Sequence, residues 1–333
     1  MIGSARVPPP PRGKRGWPWE ARGAAPAPPR PVPRITVITP SLNHGEFIEE
    51  TLRSVVMQGW PDLEYLVIDG GSTDGTSDVL RTYDACIAHA VSEPDGGQAD
   101  AINKGLRRAT GDVVTWFNAD DVLAPGALAA VAEAWRRRPR AIYAAPVVNF
   151  PARGRGTLIR PRQLTFEAAV SYWSGRCVWH DPGLFWSRAV VDAVGEIDAS
   201  LGYAFDYDYL LRALQAFPVE TIETVAAGFR VHGRSKMVAG AERMFAETSA
   251  VSRRYWPRLA SVDLAGFERS ELEHGIWRGL RTLRRGEARG LAALFRLGRQ
   301  RPARVALVLS RVLALVLRAR LVRLAGRAEE RFR

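Results

Sequence analysis

From Ile35 to about residue 148 the chain alternates short apolar runs with stretches whose apolar residues fall on one helical face, and nearly every junction is rich in Gly, Asp, Asn or Ser. The runs are 35–39 (ITVIT), 64–68 (EYLVI), 113–117 (VVTWF) and 141–148, with a weaker one near 86–91. Their length is that of strands, and near-continuous apolar character suits strands covered on both faces. Between them, 46–57 places Phe47, Ile48, Leu52, Val55 and Val56 along one side of a helix. Further helices are expected around 76–83 and 98–109, and Pro125 opens another that runs to Arg138, in the first-turn place that proline favours. Strands alternating with helices call for parallel βαβ units with right-handed crossovers. Such sheets bind ligands at the carboxyl ends of their strands, so the residues just after each run are where chemistry is expected.

The first run is followed by Pro40, Ser41, Leu42, Asn43 and His44, and the second by DGGSTDGT from Asp69 to Thr76. Glycines such as Gly71 let backbone approach a ligand, although a plain turn and helix cap would use the same residues. The third is followed by EPDGGQADAINKG, 93–105, which carries Asp95 and Gln98 and sets Asp100, Asn103 and Lys104 on adjacent turns of one helix. That trio either faces a ligand or is a solvated face. After the fourth run stand Asn118, Ala119, Asp120 and Asp121. Two adjacent carboxylates repel unless a divalent cation lies between them and a phosphate, the arrangement typical of Mg2+ and equally suited to Mn2+; a capping pair before Pro125 is the plainer reading.

The segments TPSLN, VIDGGSTDGT, EPDGGQADAINKG and NADD, followed by HDPGLFWSR (180–188), VGEID (194–198), DYDYLLR (206–212) and FRVHGRSK (229–236), together resemble the family 2 glycosyltransferases. The resemblance covers roughly 35–236. It implies a GT-A fold, which is α/β and Rossmann-like, with a mostly parallel central sheet flanked by helices. It also implies transfer of a sugar from a nucleotide-diphosphate donor, with inversion, to an acceptor hydroxyl, and UDP as the slightly preferred nucleotide. Residue by residue, Asp69 matches the carboxylate that reads the base, beside Pro40, Ser41 and Asn43. Asp120 and Asp121 match the ribose- and metal-contacting acids, with Asn118 where the family has its first Asp. Asp206 matches the catalytic base, with Asp208 as the alternative because Phe205 stands in place of the family's Glu. His232 resembles a histidine that approaches the metal or diphosphate, and Mn2+ or Mg2+ is the implied cofactor. Arg230, Arg234 and Lys236 could hold the diphosphate or form a solvated cluster. His180 is expected on the acceptor side. Trp173, Trp179 and Trp186 are core or sugar-stacking residues.

The flanks differ from this body. Residues 1–33 are Pro-, Arg- and Ala-rich with few branched apolar side chains, and are expected to form a disordered tail. The glycosyltransferase domain is expected at 34–237 and a basic, amphipathic helical extension at 238–333. Of the net charge of +12, residues 1–34 carry +6 and 278–333 carry +13, which leaves the body between them at −7. A nucleic-acid partner is therefore not expected, since the site-bearing body is acidic. Within 303–324, Arg304, Arg311 and Arg318 recur every seven residues along a Val/Leu-rich stretch that the arginines keep too polar to span a bilayer. Such a helix either lies on an anionic membrane surface or packs on protein. Two cysteines and no secretory signal point to the cytoplasm, with the inner membrane face as a peripheral location. The alternatives are a sugar-phosphate nucleotidyltransferase, which would want a basic glycine loop where TPSLNHGEF stands, and a non-catalytic nucleotide-sugar-binding relative.

Overall fold

The computed structural model describes residues 7–20, 30–151, 155–236 and 240–284. The elements are β1 (Ile35–Ser41), α1 (Ile48–Val56), β2 (Leu63–Asp69), α2 (Thr76–Thr82), β3 (His89–Ser92), α3 (Gln98–Arg108), β4 (Val113–Trp116), β5 (Val122–Leu123), α4 (Ala127–Arg137), β6 (Ile142–Ala144), β7 (Val147–Pro151), β8 (Thr157–Ile159), α5 (Phe166–Val170), β9 (Leu184–Ser187), α6 (Arg188–Val194), α7 (Phe205–Leu214), β10 (Val219–Thr221), β11 (Ala227–Val231), α8 (Ala241–Tyr255) and α9 (Leu264–Arg284).

Seven strands form the main sheet in the order β10-β6-β9-β4-β1-β2-β3, all parallel except β9. Alternate residues of the central strands feed two cores. Ile35, Val37, Tyr65 and Val67 pack with Ile48, Leu52, Val55 and Leu128 from α1 and α4. Ile38, Leu66, Ile68 and Trp116 pack with Ile102, Val190 and Leu210 from α3, α6 and α7. Gly105 lets α3 sit this close to β1, because a Cβ there would stand 2.4 Å from Ile38 Cγ2. Helices on both faces of a mostly parallel sheet are the expected GT-A-like architecture.

The single strand expected over 141–148 is two strands in two sheets. Pro146 has no N–H to give to a ladder, so β6 ends at Ala144. The chain then enters a four-stranded sheet ordered β5-β11-β7-β8. There β11 runs antiparallel to β5, with Ala227 opposite Leu123 and Gly228 opposite Val122. Continued past β5, that register sets Phe229 opposite Asp121 and Arg230 opposite Asp120, and brings His232 back to the same 118–121 turn.

The expected domain edges shift at both ends. Residues 7–20 pack on the body, contrary to the disordered tail expected there. Arg53, almost wholly buried, donates to the carbonyls of Pro8, Pro18 and Trp19 and to Tyr83 Oη. Trp17 Nε1 donates to Leu123 O at 2.8 Å, and Trp19 is buried. Two tryptophans and a buried cation needing carbonyl partners supply what the composition lacked. At the other end the first compact unit runs to Leu259, so α8 belongs to it: Tyr172 Oη and Ser249 Oγ lie 2.7 Å apart, and Ser252 Oγ donates to Val170 O. The second unit, 260–333, is described only through the helix α9, whose start is capped by Asp263 Oδ1 accepting from Gly266 N. The arginine heptad of 303–324 lies outside the described residues. No described helix is long and apolar enough to cross a membrane.

Deleting residues 1–20 strips Arg53 of three carbonyl partners. A loss of about 2 kcal/mol, or about 5 °C in thermal midpoint, is expected by calorimetry; an unchanged midpoint would show that the segment does not hold α1.

Candidate active site

A cleft of about 750 Å3 opens at the carboxyl ends of β1 and β4, and is closed in by the residues after β11, the start of α7 and one face of α8. At its first pole stands Asp120, whose Oδ2 lies 2.9 Å from His232 Nε2. Both side chains line the cleft. The contact follows from the β11–β5 register, which brings residues 112 apart in sequence together. Phe47 backs the His232 ring at 4.8 Å between centroids.

Asp121 has a different position. It is wholly buried, and its Oδ1 accepts from Arg230 N at 2.9 Å while Asn118 Nδ2 lies 3.3 Å from Oδ2. Burial, with Asp120 alongside, pushes its carboxyl well above the usual range. Asp121 thus faces the protein and not the cleft, which removes it from the expected metal pair. Arg230 is likewise structural: its Nε donates to Asp120 O, its Nη2 to Glu50, and its guanidinium lies over Phe47 and Phe150. Asn118 lines the cleft and accepts from Gln98 Nε2 at 2.7 Å. Thr51 of α1 donates to the carbonyls of Ala119 and Asp121, so α1 grips the same turn from behind.

A second acidic pole is Asp206, in the first turn of α7, which lines the same cleft. The dipole there favours a carboxylate, and Oδ1 accepts from Tyr207 N at 2.7 Å. Burial nevertheless pushes Asp206 up to about 6, against that bond and the nearby Lys236 ammonium. Asp181 also lines this part of the cleft, and burial together with the Asp206 charge holds its carboxyl well above the usual range. The α7 start is held by Glu247 of α8, which accepts from the backbone N–H groups of Gly202, Tyr203 and Ala204. Burial lowers Lys236, offset in part by Asp206 and Glu247. His180 lines the cleft as expected; its ring packs on Phe229 at 4.3 Å and burial brings it down to about 4, so it is neutral near pH 7. Trp179 reaches the cleft, Trp186 is core, and Trp173 packs on Tyr172 and Trp256.

The two glycine-bearing turns are zipped together. Asn43, at φ 55°, donates its N–H to Ser72 Oγ and accepts from Thr73 N, and Gly45 N donates to Asp74 Oδ2. Pro40, Ser41, Asn43 and Asp95 line the cleft, and the buried Ser41 hydroxyl has no partner among the described residues. Asp69 does not line it. Its carboxylate is fully buried and accepts from Ser72 N, Ser72 Oγ and Ser92 Oγ. Gly71, at φ 83°, turns the chain against Pro94 behind it.

The α3 trio does not face a ligand together. Asp100 caps Gly96 N, and Lys104 pairs with Glu93 at 3.0 Å. Asn103 is buried, and its amide exchanges two hydrogen bonds with the backbone of Ile197. Asp208 is also turned inward: it pairs with Arg212 at 2.8 Å and is buried. Of the two candidate bases, only Asp206 reaches the cleft. Among the described residues no three His, Cys, Asp or Glu side chains gather as a metal cage. Sequence reasoning did not single out Phe47, Asp181, Tyr203, Met244 or Thr248 as lining residues. Only Asp181 carried a signal, as a lone acid between His180 and the β9 run.

A cleft at the strand ends of a mostly parallel sheet, lined by Asp120 at the β4 turn and Asp206 at a helix start, is the ligand-site layout of an α/β enzyme. Comparison with known proteins agrees. The family model for glycosyl transferase family 2 matches residues 36–185. An uncharacterised glycosyltransferase of Mycobacterium tuberculosis is 31% identical over 208 residues, covering 61% of this chain and 77% of the relative. Mannosyltransferase PcManGT of Pyrobaculum calidifontis, solved with GDP-Man and Mn2+, superposes with TM-score 0.55 at 24% identity, covering 87% of this chain and 82% of that one. Staphylococcus aureus TarS 1-349, solved with UDP-GlcNAc, gives TM-score 0.52 at 16% identity, covering 72% and 71%. The chain spans 42% of the longer TarS chain. This chain belongs to glycosyltransferase family 2 and is a glycosyltransferase.

Asn103→Ala leaves the Ile197 backbone groups unsatisfied in the core. A stability loss of about 2 kcal/mol is expected in urea titration; no loss would return Asn103 to the ligand-binding candidates.

Proposed function

We propose that the enzyme moves a sugar from a nucleoside-diphosphate sugar to an acceptor hydroxyl with inversion, using Asp206 as general base. The observation that carries this is one cleft lined both by the Asp120–His232 pair and by Asp206. Inverting displacement needs the leaving diphosphate and the incoming hydroxyl on opposite sides of the anomeric carbon, and in this reading the first pole takes the diphosphate and Asp206 the hydroxyl. The acceptor hydroxyl forms the new bond to that carbon as the bond to the diphosphate oxygen breaks. The hydroxyl proton passes to Asp206.

The first pole also fits a cation. Asp120 Oδ2 and His232 Nε2 are 2.9 Å apart, a spacing that two ligands of one small ion can share. A carboxylate and an imidazole, completed by phosphate oxygens and water, suit Mn2+ or Mg2+. Bound there, the cation would stabilise the charge that develops on the leaving diphosphate. Asp120 and His232 are the residues that would hold it; Asp121 supports them through β11. The structural relatives solved with UDP-GlcNAc and with GDP-Man and Mn2+ support a nucleotide-sugar donor and divalent metal use. A UDP-sugar remains the slightly preferred donor.

The remaining protein groups orient. Ser41, Asn43, Asp95 and Gln98 line the donor side, with an unsatisfied Ser41 hydroxyl ready to accept or donate. On the acceptor side Lys236 faces Asp206 and favours its ionised form, while the neutral His180 and Trp179 present flat faces to an acceptor saccharide or lipid-linked hydroxyl. A cytoplasmic enzyme peripheral to the inner membrane face is consistent with the basic carboxyl-terminal region. Nucleic acid is not a proposed partner.

A base must be ionised to act. With Asp206 at about 6, and with Lys236 and Asp181 the charged and titratable neighbours facing it, kcat/KM should fall about tenfold per pH unit below about pH 6 and level off above it. A profile flat from pH 5 to 8 would remove Asp206 as base. Asp206→Asn should lower kcat by about 10²–10⁴ while nucleotide-sugar binding persists in calorimetry. Asp208→Asn should instead lower the thermal midpoint and keep most of kcat. The reverse ranking would hand the base role to Asp208. Chelation of divalent ions, or Asp120→Ala, should abolish turnover; full activity after either would end the metal-dependent reading.

A further inference from the structure

Asp181 has no part in the mechanism so far, yet its carboxyl is one of the most firmly placed groups in the cleft. Trp116 Nε1 donates to its Oδ1 at 2.8 Å. That indole is itself locked, stacked on Trp186 at 5.4 Å and met edge-on by Tyr209 at 5.1 Å. The loop carrying Asp181 is equally fixed. Ala145 N donates to Gly183 O at 2.9 Å, and a Cβ on Gly183 would stand 2.5 Å from Ala145 O. Only one carboxyl oxygen is used by all this. Among the described residues Oδ2 has no partner, and Asp181 lines the cleft.

The position of that free oxygen is informative. Trp116 ends the strand whose next residues lead to Asp120, the donor pole. Asp181 lines the same cleft as Asp120, His232 and Asp206, and it lies near enough to Asp206 to feel its charge. In an inverting displacement this cleft holds the ring of the sugar being transferred, since its anomeric carbon lies between leaving group and base.

We propose that Asp181 is a specificity-determining residue that hydrogen-bonds a hydroxyl of the transferred sugar through the carboxyl oxygen left free by Trp116. This rests on the donor reading given above. A second ionised carboxylate next to Asp206 would be costly, and burial together with the Asp206 charge favours the protonated form of Asp181. A neutral carboxyl offers an O–H donor as well as acceptor sites, so it can answer a hydroxyl in either sense.

The test is titration calorimetry on the full chain with Mn2+, using UDP, GDP and dTDP and then UDP-glucose, UDP-galactose, UDP-N-acetylglucosamine, GDP-mannose and dTDP-rhamnose. For whichever nucleotide sugar the wild type binds, Asp181→Ala should weaken that sugar about tenfold, the worth of one well-made hydrogen bond. It should leave the matching nucleoside diphosphate within twofold, which also certifies that the variant is folded. Asp181→Asn keeps an acceptor for Trp116 and a donor for the hydroxyl, and should restore nucleotide-sugar affinity to within about threefold of wild type. Equal weakening of diphosphate and nucleotide sugar would overturn the proposal, as would unchanged nucleotide-sugar affinity in Asp181→Ala. If the wild type binds no diphosphate and no nucleotide sugar, the donor reading itself fails and this proposal falls with it.

Discussion

The cleft depends on one contact, the buried carboxyl of Asp121 accepting from the backbone of Arg230. This bond extends the antiparallel run of β11 beyond its two ladder pairs with β5 and fixes where the chain goes next. His232 then arrives at Asp120 without any local sequence relation between them. The arrangement is gripped from both sides. Thr51 holds the Asp120 turn from α1, and the Arg230 side chain ties that turn to Glu50 while lying over Phe47 and Phe150. A buried carboxyl is expensive unless its oxygens are used, and here they are spent on backbone placement. The same logic recurs at the second pole, where Glu247 uses its charge on three backbone N–H groups that position the start of α7.

These contacts gather Asp120, Asp181 and Asp206 on one cavity with Asp121 sealed behind it, and His232, Arg234 and Lys236 line the same cavity. Such a concentration of carboxyls lowers stability and is characteristic of sites that handle charge and protons. The environments differ enough to separate the roles. Asp120 faces the cleft beside an imidazole, Asp121 is sealed, Asp181 is pinned by an indole N–H, and Asp206 sits at a helix start near an ammonium. Four similar residues thereby become a ligand candidate, a scaffold, a proposed sugar reader and a base.

Much of this was legible in the sequence. The central strands read as apolar runs because they are covered on both faces, and the acids and small polar residues after them marked the cleft. Asp120, Asp206, Asn118, Gln98, Ser41 and Asn43 all reach it. What failed to show depended on partners distant in the chain. Asp69 looks like a ligand-facing carboxylate until β3 brings Ser92 against it. Asn103 shares a helix face with polar neighbours, but its amide is claimed by Ile197, 94 residues away. Residues 7–20 have the composition of a loose tail, yet Trp17, Trp19 and the buried Arg53 bind them to α1 and Leu123. Two signals were present but under-used: Pro146 inside the 141–148 run, and the lone acid Asp181 just before β9.

The most direct test of the account is a crystal structure of the full chain grown with Mn2+ and a bound nucleoside diphosphate, read by the anomalous signal of manganese. The account predicts one manganese peak in the cleft, within about 2.0–2.3 Å of both Asp120 Oδ2 and His232 Nε2. The diphosphate should complete its shell, and Asp206 should lie across the open space beyond. A manganese held by Asp121, or a diphosphate seated at the Asp206 end, would contradict it.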